Sequence, residues 1–387
     1  MNNIYLDNAS TTFPKPKCVP DSVYKYMTEM GCNINRGGYE NAYTVEELVF
    51  ETRELLANMF SASDCKNVVF TKNITESLNF IIKGYLKPGD HVLVSSMEHN
   101  AVMRPIVQLE NVGVSFSRIP CLETGELCIE SIPSLIKKNT KAIIMTHASN
   151  VCGTVMPLKE VGALCKKYSL EFIVDSAQTA GILPINMMDM NISALAFTGH
   201  KGLLGPQGIG GFILAEDMTY KLEPLISGGT GSISHTENIP DFMPDKFEAG
   251  TLNIPGIIGL HASLNYIKDK TIDALFEHEL YLTEKFIDGL KPLENSGFIK
   301  IVGRNNLTNR TGIVSIKTMT IDPAMVAFTL DSKYKIMTRV GLHCAPNAHK
   351  TLGTYPEGTI RFSFGFENNL SDIKASIKAL EEIFNGI

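Results

Sequence analysis

The sequence predicts an α/β protein built on a mostly parallel sheet, with a second, smaller α+β body toward the C-terminus. Three features carry that expectation. Short apolar and β-branched runs recur without polar alternation, as in strands covered on both faces. Segments of helical periodicity lie between several of them, the order that produces right-handed strand–helix–strand crossovers. The rhythm then changes after about residue 227.

In chain order, the strand candidates are NVVF (67–70), HVLVSS (91–96), AIIMTHAS (142–149), EFIVDS (171–176), ALAFTG (194–199) and GGFILA (210–215). The first intervening helix, TESLNFIIKGYL (75–86), places Leu78, Ile81, Ile82 and Leu86 on one face. The second, LKEVGALCKKY (158–168), does the same with Leu158, Val161, Leu164 and Cys165. The Gly-, Ser- and Pro-rich stretch from 227 to 251 reads as a long loop, a length that in compact domains is usually functional or disordered. Beyond it, 257–269 and 274–291 read as helices, and TGIVSIKT (311–318) and GTIRFSFG (358–365) as strands. A last helix over 371–384 is expected to start on Ser371 as its N-cap.

The bulk numbers narrow the function classes. The 387 residues suggest about two domains with a large core. Thirty-five Lys and Arg against 41 Asp and Glu give a net charge of −6, without the basic footprint of a nucleic-acid binder. No signal peptide is read in MNNIYLDNAS, and no apolar segment approaches the roughly 20 residues of a membrane span. The 8 cysteines are scattered with no CxxC pair, so reduced thiols and a cytoplasmic location are expected.

The chemistry centres on Lys201, which follows the apolar run ALAFTG. A lone lysine at a strand end is most often a side chain reaching for water. Its neighbours argue otherwise. Asp175 ends another strand, where open α/β sheets bind ligands, and Gln178 follows it. His99 and Asn150 stand at two further strand ends, and Thr75 lies where a helix begins, a natural anion site. The glycines of GPQGIGG precede a strand rather than a helix, so they do not form a dinucleotide fingerprint. Together these residues match the needs of pyridoxal phosphate: a lysine for its aldehyde, an acid for its ring nitrogen, and donors for its oxygens.

The motifs YLDNASTT, MEHNA, SNVCGT, VDSAQTAG, GHKGLLGPQGIG, FEAGTLN and GLHCAP…GTIRFSFG run in order from residue 5 to 365. They resemble the class V aminotransferase superfamily, specifically the cysteine desulfurases and selenocysteine lyases. The resemblance implies pyridoxal-phosphate fold type I: a large domain over 14–255, a small one from 1–13 plus 256–387, and a homodimer. It implies that Lys201 holds the cofactor aldehyde, Asp175 the ring nitrogen, His99 the ring face, and Gln178 and Asn150 the phenolic oxygen. Ile74, Thr75, Thr198 and His200 would hold the phosphate, with Gly250 and Thr251 reaching over from a partner subunit. Leu252 stands where a proline commonly follows AGT. Arg361 would grip the substrate carboxylate, for which a planar guanidinium fork is suited; Arg339, Arg36 and Asn8 would line the substrate mouth.

By the same resemblance Cys344 carries sulfur as a persulfide, taken from L-cysteine with release of L-alanine. Arg339 and His343 are expected to favour its thiolate. The short spacing from Cys344 to Arg361 resembles the subgroup with a compact loop, which implies a dedicated sulfur-acceptor protein. A metal site from His343, Cys344 and His349 lacks a fourth ligand and paired spacing, so none is expected. Selenocysteine lyase is the nearest alternative. A transaminase or epimerase leaves Cys344 without a role. A pyridoxal-phosphate-binding scaffold without catalysis, and more distantly a nicotinamide-dependent oxidoreductase, are the readings from other classes.

Overall fold

The computed structural model describes residues 3–34, 37–233 and 235–386. Its strands are β1 (Ile4–Tyr5), β2 (Val68–Thr71), β3 (His91–Ser95), β4 (Ser115–Ile119), β5 (Thr140–Thr146), β6 (Glu171–Asp175), β7 (Ala194–Thr198), β8 (Gly210–Leu214), β9 (Ile299–Val302), β10 (Ile313–Thr318), β11 (Ile336–Met337), β12 (Arg339–Gly341) and β13 (Thr359–Ser363). The helices are α1 (Cys18–Lys25), α2 (Glu40–Phe60), α3 (Ile74–Tyr85), α4 (Asn100–Glu110), α5 (Ile132–Leu135), α6 (Leu158–Lys167), α7 (Glu216–Thr219), α8 (Ile254–Lys270), α9 (Ile272–Asn295), α10 (Pro323–Tyr334), α11 (Pro346–Thr351) and α12 (Leu370–Asn385).

The main sheet has 7 strands in the order β2-β8-β7-β6-β5-β3-β4. Only β8 runs against its neighbours, pairing antiparallel with both β2 and β7. The unbroken apolar runs have the cause the sequence suggested: alternate residues of each strand feed two different cores. Leu93, Ile143, Phe172, Val174 and Phe197 face a cluster that takes in α2, α6 and α8. Val92, Val94, Ile144, Ile173 and Ala196 face the other, with α3 and α4. A strand buried on both sides has no polar face to show.

The smaller body has a 4-stranded antiparallel sheet, β12-β13-β10-β9, whose core is filled by α9, α10 and α12. The N-terminal segment joins it: β1 pairs with β11, and Leu6 is buried in that core. Helix α8 begins near the expected limit at 255 but packs on α1 and α2, with Ile257, Leu260 and Leu264 in the larger core. α9 then runs from one core into the other, with Ile272 and Leu275 against the larger and Leu282, Phe286 and Leu290 in the smaller.

Several elements depart from the sequence expectation for local reasons. β4 is an edge strand with polar Ser115 and Ser117, so it lacks the apolar run of its neighbours. α4 carries Pro105 in its interior, which masks its periodicity. α12 starts on Asn369 rather than Ser371: the Asn369 side chain accepts from the N–H groups of Ser371 and Asp372, and Asp372 closes a capping box. Residues 220–253, where described, form neither helix nor strand, as the composition predicts. Among the described residues no helix is long and apolar enough to cross a membrane.

Candidate active site

The carboxyl ends of β2, β3, β5, β6 and β7 open on one edge of the sheet, and the predicted residues follow from them. Thr71 pairs in register with Gly210, and Gly210 with Thr198, so one row of three strands brings the start of α3 beside the end of β7. Gly210 permits this approach, since a Cβ there would lie 2.9 Å from the Cα of Asn73. Asn73 caps α3 by accepting from Glu76 N–H at 3.0 Å. The N–H groups of Ile74 and Thr75, in the first turn, have no intrahelical carbonyl to bond.

Lys201 sits in a tight turn after β7. Leu204 N–H donates to its carbonyl at 2.8 Å, and Thr12 Oγ1 donates to the same oxygen at 2.8 Å. Lys15 Nζ and Thr12 N–H both donate to the His200 carbonyl, at 2.7 and 3.0 Å. Gly181, at φ 81°, lets its backbone touch Gly202; a Cβ there would come within 2.4 Å of the Gly202 carbonyl oxygen. The backbone under Lys201 is thus pinned from two sides. Its amine makes no hydrogen bond or ion pair among the described residues. Burial, then the charge of Arg361, pull it down from 10.5 to about 8, against the opposing pull of Asp175. The side chain keeps some exposed surface, so it is accessible in a poorly hydrated place.

Asp175, 2% exposed, accepts from Ala177 N–H at 2.9 Å. Burial raises its pKa, while that hydrogen bond and the Lys201 charge oppose the shift. Acid and amine feel each other's charge without pairing. His99 caps α4, its Nδ1 accepting from Ala101 N–H at 3.0 Å, which leaves the ring proton on Nε2. Burial first, and the charges of Lys201, Arg339, Arg104 and Arg361 after it, lower it to about 4, so the ring is neutral. Two buried atoms at the end of β7, Thr198 Oγ1 and His200 Nδ1, have no hydrogen-bond partner. Burial holds His200 near 4. Orphaned buried polar atoms are rare in folded proteins and call for a partner. Beside the free N–H groups of α3, these fit an anionic ligand.

Arg361 is 2% exposed and held on three sides. Its Nη2 donates to Asp7 Oδ1 and to Ser10 Oγ, both at 2.7 Å, and its Nη1 to the Asn150 carbonyl at 3.0 Å; Nε has no partner. Arg339 lies opposite it across the β12–β13 pair and donates to the same Ser10 Oγ at 2.8 Å. Two guanidinium groups thus share the Ser10 hydroxyl while only Arg361 pairs with a carboxylate, which leaves positive charge for a bound acid. Asp7 and Ser10 are site residues that sequence reasoning missed. The signal was available: a strand arginine that is to be buried needs a carboxylate beside it.

The remaining predicted residues divide. Gln178 Nε2 donates to the Ala9 carbonyl at 3.1 Å. Asn150 Nδ2 donates to the His343 carbonyl at 2.7 Å, tying the Cys344 turn to the end of β5. Asn8 lines the space behind Lys201, but its amide donates to the Ser363 carbonyl at 3.0 Å and to Asn368 Oδ1 at 3.1 Å, a clamp on the small body. Gly250 and Thr251 line a separate cavity with Arg53 and Glu248. Arg36 lies outside the described residues. Cys344 is exposed, at φ 57°.

His343 corrects an expectation. It is 4% exposed, its Nε2 is bonded to Thr359 Oγ1 at 2.9 Å, and burial drives it down to about 2. A neutral ring brings no positive charge to the Cys344 thiolate. His349 turns its Nδ1 to Thr354 Oγ1 at 2.7 Å while its Nε2, like His343 Nδ1, has no partner; among the described residues no three His, Cys, Asp or Glu gather as metal ligands.

Known proteins resemble this arrangement over the full chain. The sequence profile described as Aminotransferase class-V matches residues 4–375. A probable cysteine desulfurase of Methanothermobacter thermautotrophicus is 34% identical, over 99% of this chain and 95% of its own length. One of Pyrococcus abyssi is 32% identical, over 99% and 95%. Among solved structures, the apo cysteine desulfurase of Thermococcus onnurineus NA1 superimposes with a TM-score of 0.93 at 32% identity, covering 100% of this chain and 95% of that one. The Escherichia coli cysteine desulfurase CsdA gives 0.87 at 26% identity, covering 100% and 95%. With the fold and the residues around Lys201 already in place, these likenesses make the chain a member of the class-V aminotransferase family, in its cysteine desulfurase branch.

Proposed function

We propose that the chain binds pyridoxal 5′-phosphate on Lys201 and converts L-cysteine to L-alanine, keeping the sulfur as a persulfide on Cys344. One observation carries the reading: an amine lowered to about 8 lies within electrostatic reach of a buried acid without pairing to it, and Thr198 Oγ1 and His200 Nδ1, close to Lys201 in the chain, are orphaned. These groups fit the cofactor's aldehyde, ring nitrogen and phosphate in turn. Thr198, His200 and the N–H groups of Ile74 and Thr75 would hold the phosphate, Asp175 the ring nitrogen, and His99 the ring face. When bound, pyridoxal phosphate supplies a conjugated ring that takes up the negative charge left by loss of the substrate's α-proton.

The chain's own residues supply the rest. Arg361 and Arg339 orient the substrate by its carboxylate. Lys201, with its amine near neutrality, takes the α-proton and returns one, as a base and acid matched to the working pH. His99, neutral, keeps its proton on Nε2 because Nδ1 accepts from Ala101 N–H. The Cys344 thiolate attacks the substrate sulfur. An S–S bond forms as the Cβ–S bond breaks, the electron pair of that bond stays with the carbon, and protonation there completes alanine. Sulfur changes hands with no external oxidant. Gly250 and Thr251 would serve the cleft of a second copy. Their separate cavity and the exposed Tyr39, Tyr43, Phe50 and Phe242 support a homodimer. The persulfide would then pass to an acceptor protein docked at the turn.

The test is to add L-cysteine to the purified holoenzyme and measure alanine, sulfide and protein persulfide, in wild type and Cys344→Ala. Equal alanine and sulfur are expected from wild type, and from Cys344→Ala a retained cofactor absorption with no persulfide. Undiminished sulfur release by Cys344→Ala would overturn the reading.

A further inference from the structure

Cys344 follows His343, and both occupy the left-handed region, at φ 57° and 47°. Two adjacent non-glycine residues hold that conformation only where their surroundings impose it. The surroundings here are four hydrogen bonds between this segment and the large body. Asn100 N–H donates to the Cys344 carbonyl at 2.8 Å, and Asn150 Nδ2 to the His343 carbonyl at 2.7 Å. The other two come from α11, directly after the turn. Asn347 Nδ2 donates to the Ser96 carbonyl at 2.8 Å, and Thr351 Oγ1 to Ser96 Oγ at 3.0 Å. Apolar packing reinforces them, since Ala345, Ala348 and Leu352 are buried in the large core. Ser96 is itself 7% exposed and fixed at the end of β3 by its N–H to the Ile119 carbonyl at 3.0 Å. It lies three residues before His99.

We infer that Asn347 and Thr351 are positioning residues: by fastening α11 to Ser96 they hold the Cys344 sulfur at a fixed place beside the start of α4 and the end of β5. The chemical consequence rests on the function proposed above; the fastening itself does not. With the turn held, Cys344 meets the substrate sulfur in register, and a thiol acceptor must come to it. With α11 released, the sulfur gains reach outward and loses its aim inward. The two halves of the reaction then change in opposite directions, which general destabilisation does not produce.

The test compares the wild-type holoenzyme with Asn347→Ala, Thr351→Val and the double variant, and with Thr351→Ser, which keeps the hydroxyl. The first readout is the rate of Cys344 alkylation by iodoacetamide without substrate, followed on its own peptide by mass spectrometry. It needs no catalytic activity, so it judges the fastening even if the proposed function fails. About a threefold or greater rise is expected in the double variant, with Thr351→Ser like wild type. The second readout is single-turnover chemistry. Persulfide formation is expected to slow about tenfold at unchanged KM for L-cysteine, since misplacing a reacting group by about 1 Å costs up to ~100-fold. Release of the persulfide sulfur to dithiothreitol is expected to speed up. The inference is overturned if alkylation is unchanged in the double variant, or if both half-reactions slow together. It is also overturned if Thr351→Ser behaves like Thr351→Val.

Discussion

Replacing Asp7 by alanine is expected to cost stability, and a ligand carboxylate to restore it. Arg361 keeps 3% of its side chain in water and Asp7 20%, with 2.7 Å between Nη2 and Oδ1. Removing the acid leaves a buried guanidinium facing Arg339 across the β12–β13 pair, with Lys201 near enough to feel the charge. Breaking a buried pair in this way costs about 3–5 kcal/mol, and the partial exposure of Asp7 sets the figure near the low end, about 3. For a chain of this size each kcal/mol lowers Tm by about 2 °C, so a fall of about 6 °C is expected. The assay is thermal unfolding with and without L-alanine, a carboxylate that lacks the reacting sulfur. Alanine should raise the Tm of Asp7→Ala by more than it raises that of wild type, because it returns an anion to Arg361. A variant melting within about 1 °C of wild type, or one indifferent to alanine, would refute both the ion-pair reasoning and the carboxylate role of Arg361.

Two further substitutions probe the frame. Gly210→Ala places a Cβ 2.9 Å from the Asn73 Cα and from the Phe197 carbonyl oxygen, so α3 must shift from the end of β7. A fold retained by circular dichroism with pyridoxal phosphate lost on dialysis is the expected outcome. Glu248→Ala strands Arg53, which donates to both carboxylate oxygens at 2.9 and 2.6 Å and lies 4.5 Å above the Phe70 ring. Urea unfolding should show a loss of about 3–5 kcal/mol, while Arg53→Met with Glu248→Leu recovers part of it, since the Phe70 N–H and the Val68 carbonyl lose their bonds to the pair.

How much of this was legible in the sequence follows from what each signal depends on. The strands buried on both faces announced themselves through composition, and Lys201, Asp175, His99 and Asn150 lay at their ends where the topology of parallel sheets puts ligand groups. The edge strand β4 and the proline-bearing α4 did not, because solvent exposure and Pro105 erase the patterns that betray burial. At the site, roles set by a single residue's chemistry were readable, whereas roles set by a distant partner were not. Asp7 acts through Arg361, 354 residues away, and Asn8 through Ser363, 355 away. His343 looked like a charge donor to Cys344 because adjacency in sequence says nothing about burial. Its ring points to Thr359 and stays neutral.

Everything proposed for the chemistry requires that the Lys201 amine be the group that takes the cofactor aldehyde. The direct measurement adds pyridoxal 5′-phosphate to the apoprotein at a series of pH values, reduces with borohydride and maps the labelled peptide. Only the unprotonated amine reacts, so labelling should rise with pH and reach half its maximum near 8, the value to which burial lowers Lys201, rather than near 10.5. Lys15, also lowered by burial to about 8, is committed to the His200 carbonyl and serves as the internal control. Label confined to Lys201 with that midpoint is the predicted result; label on Lys15, label spread over several lysines, or a midpoint near 10.5 would contradict it.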